Sequence, residues 1–246
     1  MRVLVINLER STARRAAIAA RLGALGVDYG LFPGVDGAAG HECFEACDVR
    51  EYLLNTGRTP SDHEVGCYAS HLRLWAACVA ADEPFVIMED DAAPLPTFAA
   101  ALDATRGLIH RYGFVRLEYD GPSHPARTRE IEPAGAFAVH YFAKYPYGAR
   151  CYALSPAVAR AFFESSRVLR APVDQFIKRC WEHRQPLYGL LPYCVQEGSH
   201  ASRSTIGART KEPLAAGLRA RRLLHKLHTG LERAAFNRRW WQASLH

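Results

Sequence analysis

The stretch 86-VIMEDDA-92 sets three consecutive carboxylates, Glu89, Asp90 and Asp91, directly behind an apolar run. That run, PFVIM, is short and apolar throughout, the pattern of a central parallel strand buried on both faces. Adjacent carboxylates repel, and repulsion at the end of a buried strand stabilises nothing, so the segment calls for positive charge beside it. In an open α/β sheet, ligands sit beyond the carboxyl ends of the strands, where this cluster falls. Side chains alternate along an extended chain, which aims Glu89 and Asp91 one way and Asp90 the other. A same-side carboxylate pair suits a hard divalent cation, Mg²⁺ or Mn²⁺. The same spacing also fits acids that decorate a loop and favour the positive N-terminus of the next helix.

Outward from this strand, the periodicity reads as one α/β body. Val3 to Ile6 form a first strand, TARRAAIAARLGALG (12–26) a helix ending in glycine, and Val27 to Phe32 a second strand. Residues 36–62 are irregular and rich in turn formers. Glu64 to Ala81 is helical, with Tyr68, Leu72, Trp75 and Val79 at spacings of three and four. A helix from Thr97 to about Arg111 is expected, capped by Thr97. FVRLEY, AFAVHYF and ARCYALS read as strands, and SPAVARAFFES as a helix with Ser155 as cap and Pro156 at its first position. The expectation is an α/β fold with a mostly parallel central sheet over residues 1–207 and a basic helical tail over 208–246.

With 246 residues, 49% of them hydrophobic, the chain can bury one substantial core. No run of 18 or more apolar residues suggests a spanning helix. MRVLVINLER lacks the pattern of a signal peptide and reads as a core strand. The seven cysteines are odd in number and scattered, which argues against a disulfide framework and for a reducing cytoplasm. His41, Cys43 and Cys47 have no second pair at finger-like spacing and read as small buried thiols rather than a zinc site. The net charge of +6 is uneven. From Ala208 onward nine Lys and Arg face only Glu212 and Glu232, a surplus of seven, so the body is slightly negative. The basic pI belongs to the tail and gives no reason for the body to bind nucleic acid.

INLERSTARR, EVGCYASHLRLW and VIMEDDA, in that order, followed by YGARCYALSPAVARAFF and PVDQF, resemble glycosyltransferase family 25 over roughly residues 3 to 207. The resemblance implies a GT-A type, Rossmann-like fold that binds a nucleotide sugar. It also implies a UDP-sugar donor (usually UDP-galactose) and an inverting transfer of the hexose, in β-linkage, to a lipooligosaccharide or other surface glycan. Glu89, Asp90 and Asp91 stand where the family keeps its metal-binding acidic motif. The implied counter-charge is then Mn²⁺ or Mg²⁺ bridging to the diphosphate, with Asp91 a direct ligand and Glu89 or Asp90 helping to hold metal, ribose or sugar.

An inverting transfer needs a base on the acceptor side. Asp174 matches the family's acidic position there; alternatively it only caps a helix. Glu118 is the second candidate and Asp120 the third, either of which also reads as a strand-end surface acid. Asn7, Leu8, Arg10 and Arg14 sit at and beyond the first strand, where such folds meet the nucleotide and guanidinium groups suit diphosphate. Glu64, Ser70 and His71 share one helix and join the donor set through the resemblance, touching ligand or holding the acidic loop. His63 departs from the family, which usually has glycine there. Tyr145, Tyr147 and Gly148 are placed for an acceptor cleft or, as tyrosines often are, for the core.

In the tail, Leu214, Leu218, Leu224, Leu227 and Leu231 recur near one helical turn among basic residues, closing on Trp240-Trp241. A basic amphipathic helix of this kind suits an anionic membrane surface, placing the protein in the cytoplasm, peripheral to the inner membrane. The other reading packs the leucines on the catalytic domain. RNA binding would rest on charge alone, without an aromatic platform. Two rivals to the enzyme remain: a silent UDP-sugar-binding scaffold, and a divalent-metal phosphohydrolase or nucleotidyltransferase, which lacks a second Asp/His cluster of convincing spacing.

Overall fold

A computed structural model of the chain describes residues 1–40, 45–119, 126–198 and 216–243. The strands are β1 (Arg2–Asn7), β2 (Gly30–Pro33), β3 (Phe85–Glu89), β4 (Ala92–Pro94), β5 (Phe114–Arg116), β6 (Arg127–Ala134), β7 (Phe137–Lys144), β8 (Cys151–Leu154), β9 (Tyr188–Leu191) and β10 (Val195–Glu197). The helices are α1 (Thr12–Ala24), α2 (Val49–Thr56), α3 (Asp62–Ala81), α4 (Phe98–Tyr112), α5 (Pro156–Ser165), α6 (Val173–Ile177), α7 (Cys180–His183) and α8 (Ala216–Ala243).

Eight strands form one sheet in the order β2-β1-β3-β8-β5-β9-β7-β6, and β4 pairs separately with β10. The expected mostly parallel sheet is not what forms. β1 runs parallel to β2 and β3, and β5 to β9, but β8 is antiparallel to both β3 and β5, and β7 to β9 and β6. All four residues of β8 are buried, as in a central parallel strand. Apolar composition records burial on two faces and is silent about direction, which is why the reading failed here.

The pleat of β3 divides the core. Val86 and Met88 join Val3 and Val5 against Ile18 and Leu22 of α1 and Phe98, Leu102 and Ile109 of α4. Phe85 and Ile87 face the other way, onto a cluster that includes Trp75 of α3, Phe162 of α5 and Phe176 of α6. The sheet is thus covered by helices on both faces.

Local signals fix the helix ends. Ser61 and Glu64 form a capping box that starts α3 at Asp62, two residues before the apolar periodicity begins. Ser155 caps α5 by accepting from Val158 N at 3.4 Å, with Pro156 at the first position. Thr97 precedes α4 but its side chain makes no cap bond, so that expectation is corrected; Thr97 itself takes helical backbone angles instead of the extended ones a cap needs.

The tail helix α8 lies on the body through polar groups and through Phe236 and Trp240, which pack against the two core clusters. Trp240 thus faces the body and not the exposed leucine stripe. His225 Nε2 meets Asn55 Oδ1 at 2.7 Å, Arg222 donates to Leu54 O at 3.1 Å, and Asn237 donates to Ala143 O at 2.7 Å. Leu218 is half-buried, while Leu224 (66%), Leu227 (59%) and Leu231 (72%) are exposed, as is Leu223. The reading that packs these leucines inward does not hold. Leu214 lies outside the described residues.

A buried ion pair holds the start of α3. The Arg58 guanidinium forks onto both oxygens of Glu64, and Tyr52 Oη donates to the same carboxylate at 3.0 Å. Burial pushes the Glu64 carboxyl up, but Arg58 and Tyr52 together hold it below its usual range. Removing one partner of such a pair strands the other's charge. Arg58→Ala should cost about 3 kcal/mol at neutral pH, read as a lower melting temperature. The deficit should shrink as pH falls through the folded carboxyl's range, because an ionised Glu64 is what Arg58 stabilises. A loss under about 1 kcal/mol would contradict this role.

Candidate active site

The cleft opens beyond the carboxyl ends of β1 and β3. Its wall is the loop after β2, and its floor is the first half of α3 with the turn after β3. Gly66 lets that loop lie on the helix: a Cβ there would come within 2.7 Å of Gly37 N and Val35 O. Ser70 Oγ fixes the approach, accepting from Val35 N and donating to Gly66 O, both at 2.8 Å. Leu8, Arg14, His63, Cys67, His71 and all three consecutive acids also line the cleft. A larger groove runs along the opposite, N-terminal edge of β1, between Asp28 and Arg106, away from the acidic cluster. The topology favours the smaller cleft as the ligand site, because side chains at strand carboxyl ends converge there.

Each of the three acids meets a different partner. Asp90 turns toward β1 and α1, accepting from Asn7 Nδ2 at 2.6 Å and pairing with Arg14 at 3.1 Å. Burial still lifts its carboxyl above the usual range, against Arg14 and Asn7. Glu89 lies 3.3 Å from His71 Nε2. Burial would raise it, but His71, Arg150 and Arg14 outweigh burial and hold it low. Asp91 has only Arg150, at 3.9 Å, and its Oδ1 is buried with no hydrogen-bond partner among the described residues. Burial, and next the charge of Glu89, push the Asp91 carboxyl up to about 7.

Behind Glu89 runs a chain of hydrogen bonds from Trp75 through Tyr152 to His71. Trp75 Nε1 can only donate, and it donates to Tyr152 Oη at 2.9 Å. Tyr152 Oη lies 2.8 Å from His71 Nδ1, and the two rings stack at 5.8 Å. With Tyr152 donating to Nδ1, the proton of neutral His71 sits on Nε2 and points at Glu89. The buried wall of the core thereby aims one carboxylate into the cleft.

A second constellation surrounds Gly148. Arg116 is fully buried, donating to Tyr147 O at 2.8 Å, Gly148 O at 2.9 Å and Glu118 O at 3.1 Å. Glu118 is 1% exposed and accepts from Arg150 N at 2.9 Å and Arg150 Nη1 at 3.3 Å, with Arg116 at 3.2 Å. Burial raises its carboxyl against both arginines. Gly148, at φ +103°, has no room for a Cβ, which would meet Glu118 Oε2 at 2.9 Å. Asp174, half-buried at the start of α6, accepts from Gln175 N at 2.8 Å and from Gly148 N at 3.4 Å.

Of the residues read from the sequence, Asn7, Leu8, Arg14, Ser70, His71, Glu89, Asp90 and Asp91 gather at the cleft. Arg10 pairs with Asp36 at its outer edge. Glu64 does not line the cleft, its carboxylate being taken up by Arg58 and Tyr52. Tyr145 packs on Phe114 and Phe142 in the core, whereas Tyr147 is 38% exposed with Lys178 Nζ 3.8 Å above its ring. Asp120, His41 and Cys43 lie outside the described residues. Sequence reasoning missed Arg150, which meets Asp91, Glu118 and Glu197. Its signals were the unmet need for positive charge beside the acids and its place in the motif YGARCYALSPAVARAFF.

Residues 1–177 match the family "Glycosyltransferase family 25 (LPS biosynthesis protein)". The chain belongs to glycosyltransferase family 25. Relatives described as "Glycosyltransferase 25 family member" are 27% identical over 191 residues in Aedes aegypti and 30% identical over 189 in Drosophila pseudoobscura pseudoobscura. Each alignment covers 71% of this chain, and the chain spans about 30% of the length of these relatives. Among solved structures, an inositol-1-phosphate CTP transferase from T. maritima aligns with 90% of this chain and 74% of its own, at a TM-score of 0.31 and 9% identity.

The donor set of this family 25 chain fits a divalent cation at one point. A buried carboxylate oxygen without a partner, beside a second carboxylate, is the arrangement a hard cation satisfies, and among the described residues Asp91 Oδ1 is such an oxygen. Asp91 ionises less readily folded than unfolded. Its ionisation therefore costs stability increasingly as pH rises from the ordinary carboxylate range to about 7, with the full cost present above. Asp91→Asn should raise the melting temperature of metal-free protein by about 2–4 °C more at pH 8 than at pH 5, for roughly 1 kcal/mol after solvent screening. A lower melting temperature at pH 8 would contradict this charge balance.

Proposed function

We propose that this chain is an inverting, metal-dependent glycosyltransferase of the GT-A kind. It would transfer a hexose, galactose from UDP-galactose, in β-linkage to a lipooligosaccharide or similar surface glycan. The observation that carries the reading is Asp91 Oδ1, a carboxylate oxygen buried without a hydrogen-bond partner among the described residues, at the carboxyl end of the central strands in a family 25 chain. Asp91 and Glu89 would hold Mn²⁺ or Mg²⁺, which when bound stabilises charge on the departing diphosphate. Asn7 and Arg14 keep Asp90 turned aside and so hold the turn in register. Leu8 and the loop after β2 would wall the nucleotide, with Arg10 within reach of its phosphates.

On the acceptor side, Asp174 is favoured over Glu118 as the base. Glu118 already receives three arginine contacts and is closed to solvent, whereas Asp174 is half-open beside Tyr147 and Gly148. The acceptor oxygen would attack the anomeric carbon as its bond to UDP breaks, with the acceptor proton passing to Asp174. Asp174→Asn should leave UDP binding intact and lower turnover of UDP-galactose by about 10²–10⁴-fold. Turnover within a few-fold of the parent would remove Asp174 from the base role.

The tail helix supports an anionic lipid surface as partner. At 100° per residue, Leu223, Leu224, Leu227 and Leu231 fall within an arc of about 100°, opposite the face that contacts the body. Exposed Arg221, Lys226, Arg238 and Arg239 lie in or flank that stripe. Among the described residues no helix is long and apolar enough to cross a membrane, so this contact would be peripheral. The full chain should co-sediment with phosphatidylglycerol vesicles and not with phosphatidylcholine ones. Leu227→Ser with Leu231→Ser should weaken that binding about tenfold or more. Equal binding to both vesicle types, or none, would contradict the membrane reading.

A further inference from the structure

We propose that Cys67, His71 and Glu89 form a cation site of zinc type on the floor of the cleft, separate from the position at Asp91. Cys67 and His71 stand one turn apart on the same face of α3, and Glu89 reaches them from the end of β3. Glu89 Oε1 lies 3.9 Å from Cys67 Sγ and 3.3 Å from His71 Nε2, and the three potential ligand atoms all lie within 4.8 Å of one another. A tetrahedral cation with bonds of about 2.0–2.3 Å separates its ligands by roughly 3.3–3.7 Å. Closing the difference requires the ligand atoms to draw together by no more than about 1.5 Å.

The surroundings are those of a ligating histidine. Its remote nitrogen, Nδ1, is held by Tyr152 Oη, which Trp75 fixes in turn. Such an outer hydrogen bond orients the ring and sets its tautomer. On metal binding His71 carries its proton on Nδ1 instead of Nε2. Tyr152 Oη, with two lone pairs, can then accept from both Trp75 and His71. Cys67 binds as thiolate, its proton passing to the solvent buffer, and no redox change is involved. The remaining coordination position faces the cleft, which the same three residues line.

The chemistry of the donors selects the cation. One thiolate, one imidazole and one carboxylate suit Zn²⁺ or Co²⁺, whereas Mg²⁺ and Mn²⁺ prefer oxygen. Because Glu89 serves both positions, zinc at this site would withdraw it from the hard cation at Asp91. Sequence spacing hid the site, since only the fold brings residue 89 against residues 67 and 71.

The test is a titration of the reduced, metal-free full chain with Co²⁺ alone, read by absorbance. The expected result is one equivalent giving a thiolate-to-cobalt charge-transfer band and the visible bands of a four-coordinate ion, both bleached by Zn²⁺. Cys67→Ser should lose the charge-transfer band, while Cys47→Ser, at the other half-buried described cysteine, should keep it. In the unaltered chain Zn²⁺, but not Mg²⁺, should protect Cys67 from alkylation, a readout that does not depend on the variant's folding. Absence of the band, its persistence in Cys67→Ser, or alkylation of Cys67 unaffected by Zn²⁺ would overturn the proposal. No nucleotide or sugar is present in these measurements, so their failure would leave the glycosyl-transfer reading untouched.

Discussion

Three adjacent carboxylates at the end of a buried strand constrain everything around them. Left together in a low-dielectric site, their repulsion would be among the largest electrostatic costs in the molecule. The fold disperses them instead of neutralising them in one place. Asp90 is drawn toward Asn7 and Arg14, Glu89 toward His71, and Asp91 toward Arg150. The partners come from β1, α1, α3 and the residue before β8, so the buried acidic row depends on all of these elements being packed together. Among the described residues the dispersal leaves over one carboxylate oxygen, on Asp91, and the proposed function is built on it.

The same requirement explains why α3 is so thoroughly anchored. Its start is pinned by the capping box and by Arg58 on Glu64, and its middle by Trp75 against Phe162 and Phe176. Between these anchors it presents Cys67, Ser70 and His71 to the cleft. Polar side chains this buried hold a fixed geometry only when their neighbours supply every hydrogen bond. Trp75 and Tyr152 do that for His71, which joins core packing directly to the chemistry of the cleft.

Much of this was legible in the sequence. The strand ending at Glu89, the α1 and α3 periodicities and the Ser155-Pro156 helix start follow from local rules. The gathering of Asn7, Arg14, His71 and the acidic row followed from the ordered motifs. Strand direction was not legible, because β8 looks the same to composition whichever way it runs. Neither was Arg150: nothing near it in the chain marks it as the counter-charge, and only the antiparallel β8 brings its carbonyl 2.8 Å from Glu89 N. Glu64 misled for the opposite reason. A polar residue on the motif helix looks like site chemistry, but here it is the closing piece of a helix cap. The leucines of α8 were visible as a stripe, yet which way the stripe faced depended on polar contacts such as His225 with Asn55, remote in sequence.

In the proposed function the acidic turn and its cleft hold a uridine diphosphate through a divalent cation. The most direct measurement is a thermal-shift scan of the full chain with UDP, GDP and CMP, each with and without Mn²⁺. A ligand that binds only the folded state raises its stability, by about 2.7 kcal/mol at a hundred times its dissociation constant. The expected result is a rise for UDP that requires Mn²⁺ and disappears in Asp91→Ala. No rise with UDP under any metal condition, or one as large without Mn²⁺, would contradict it.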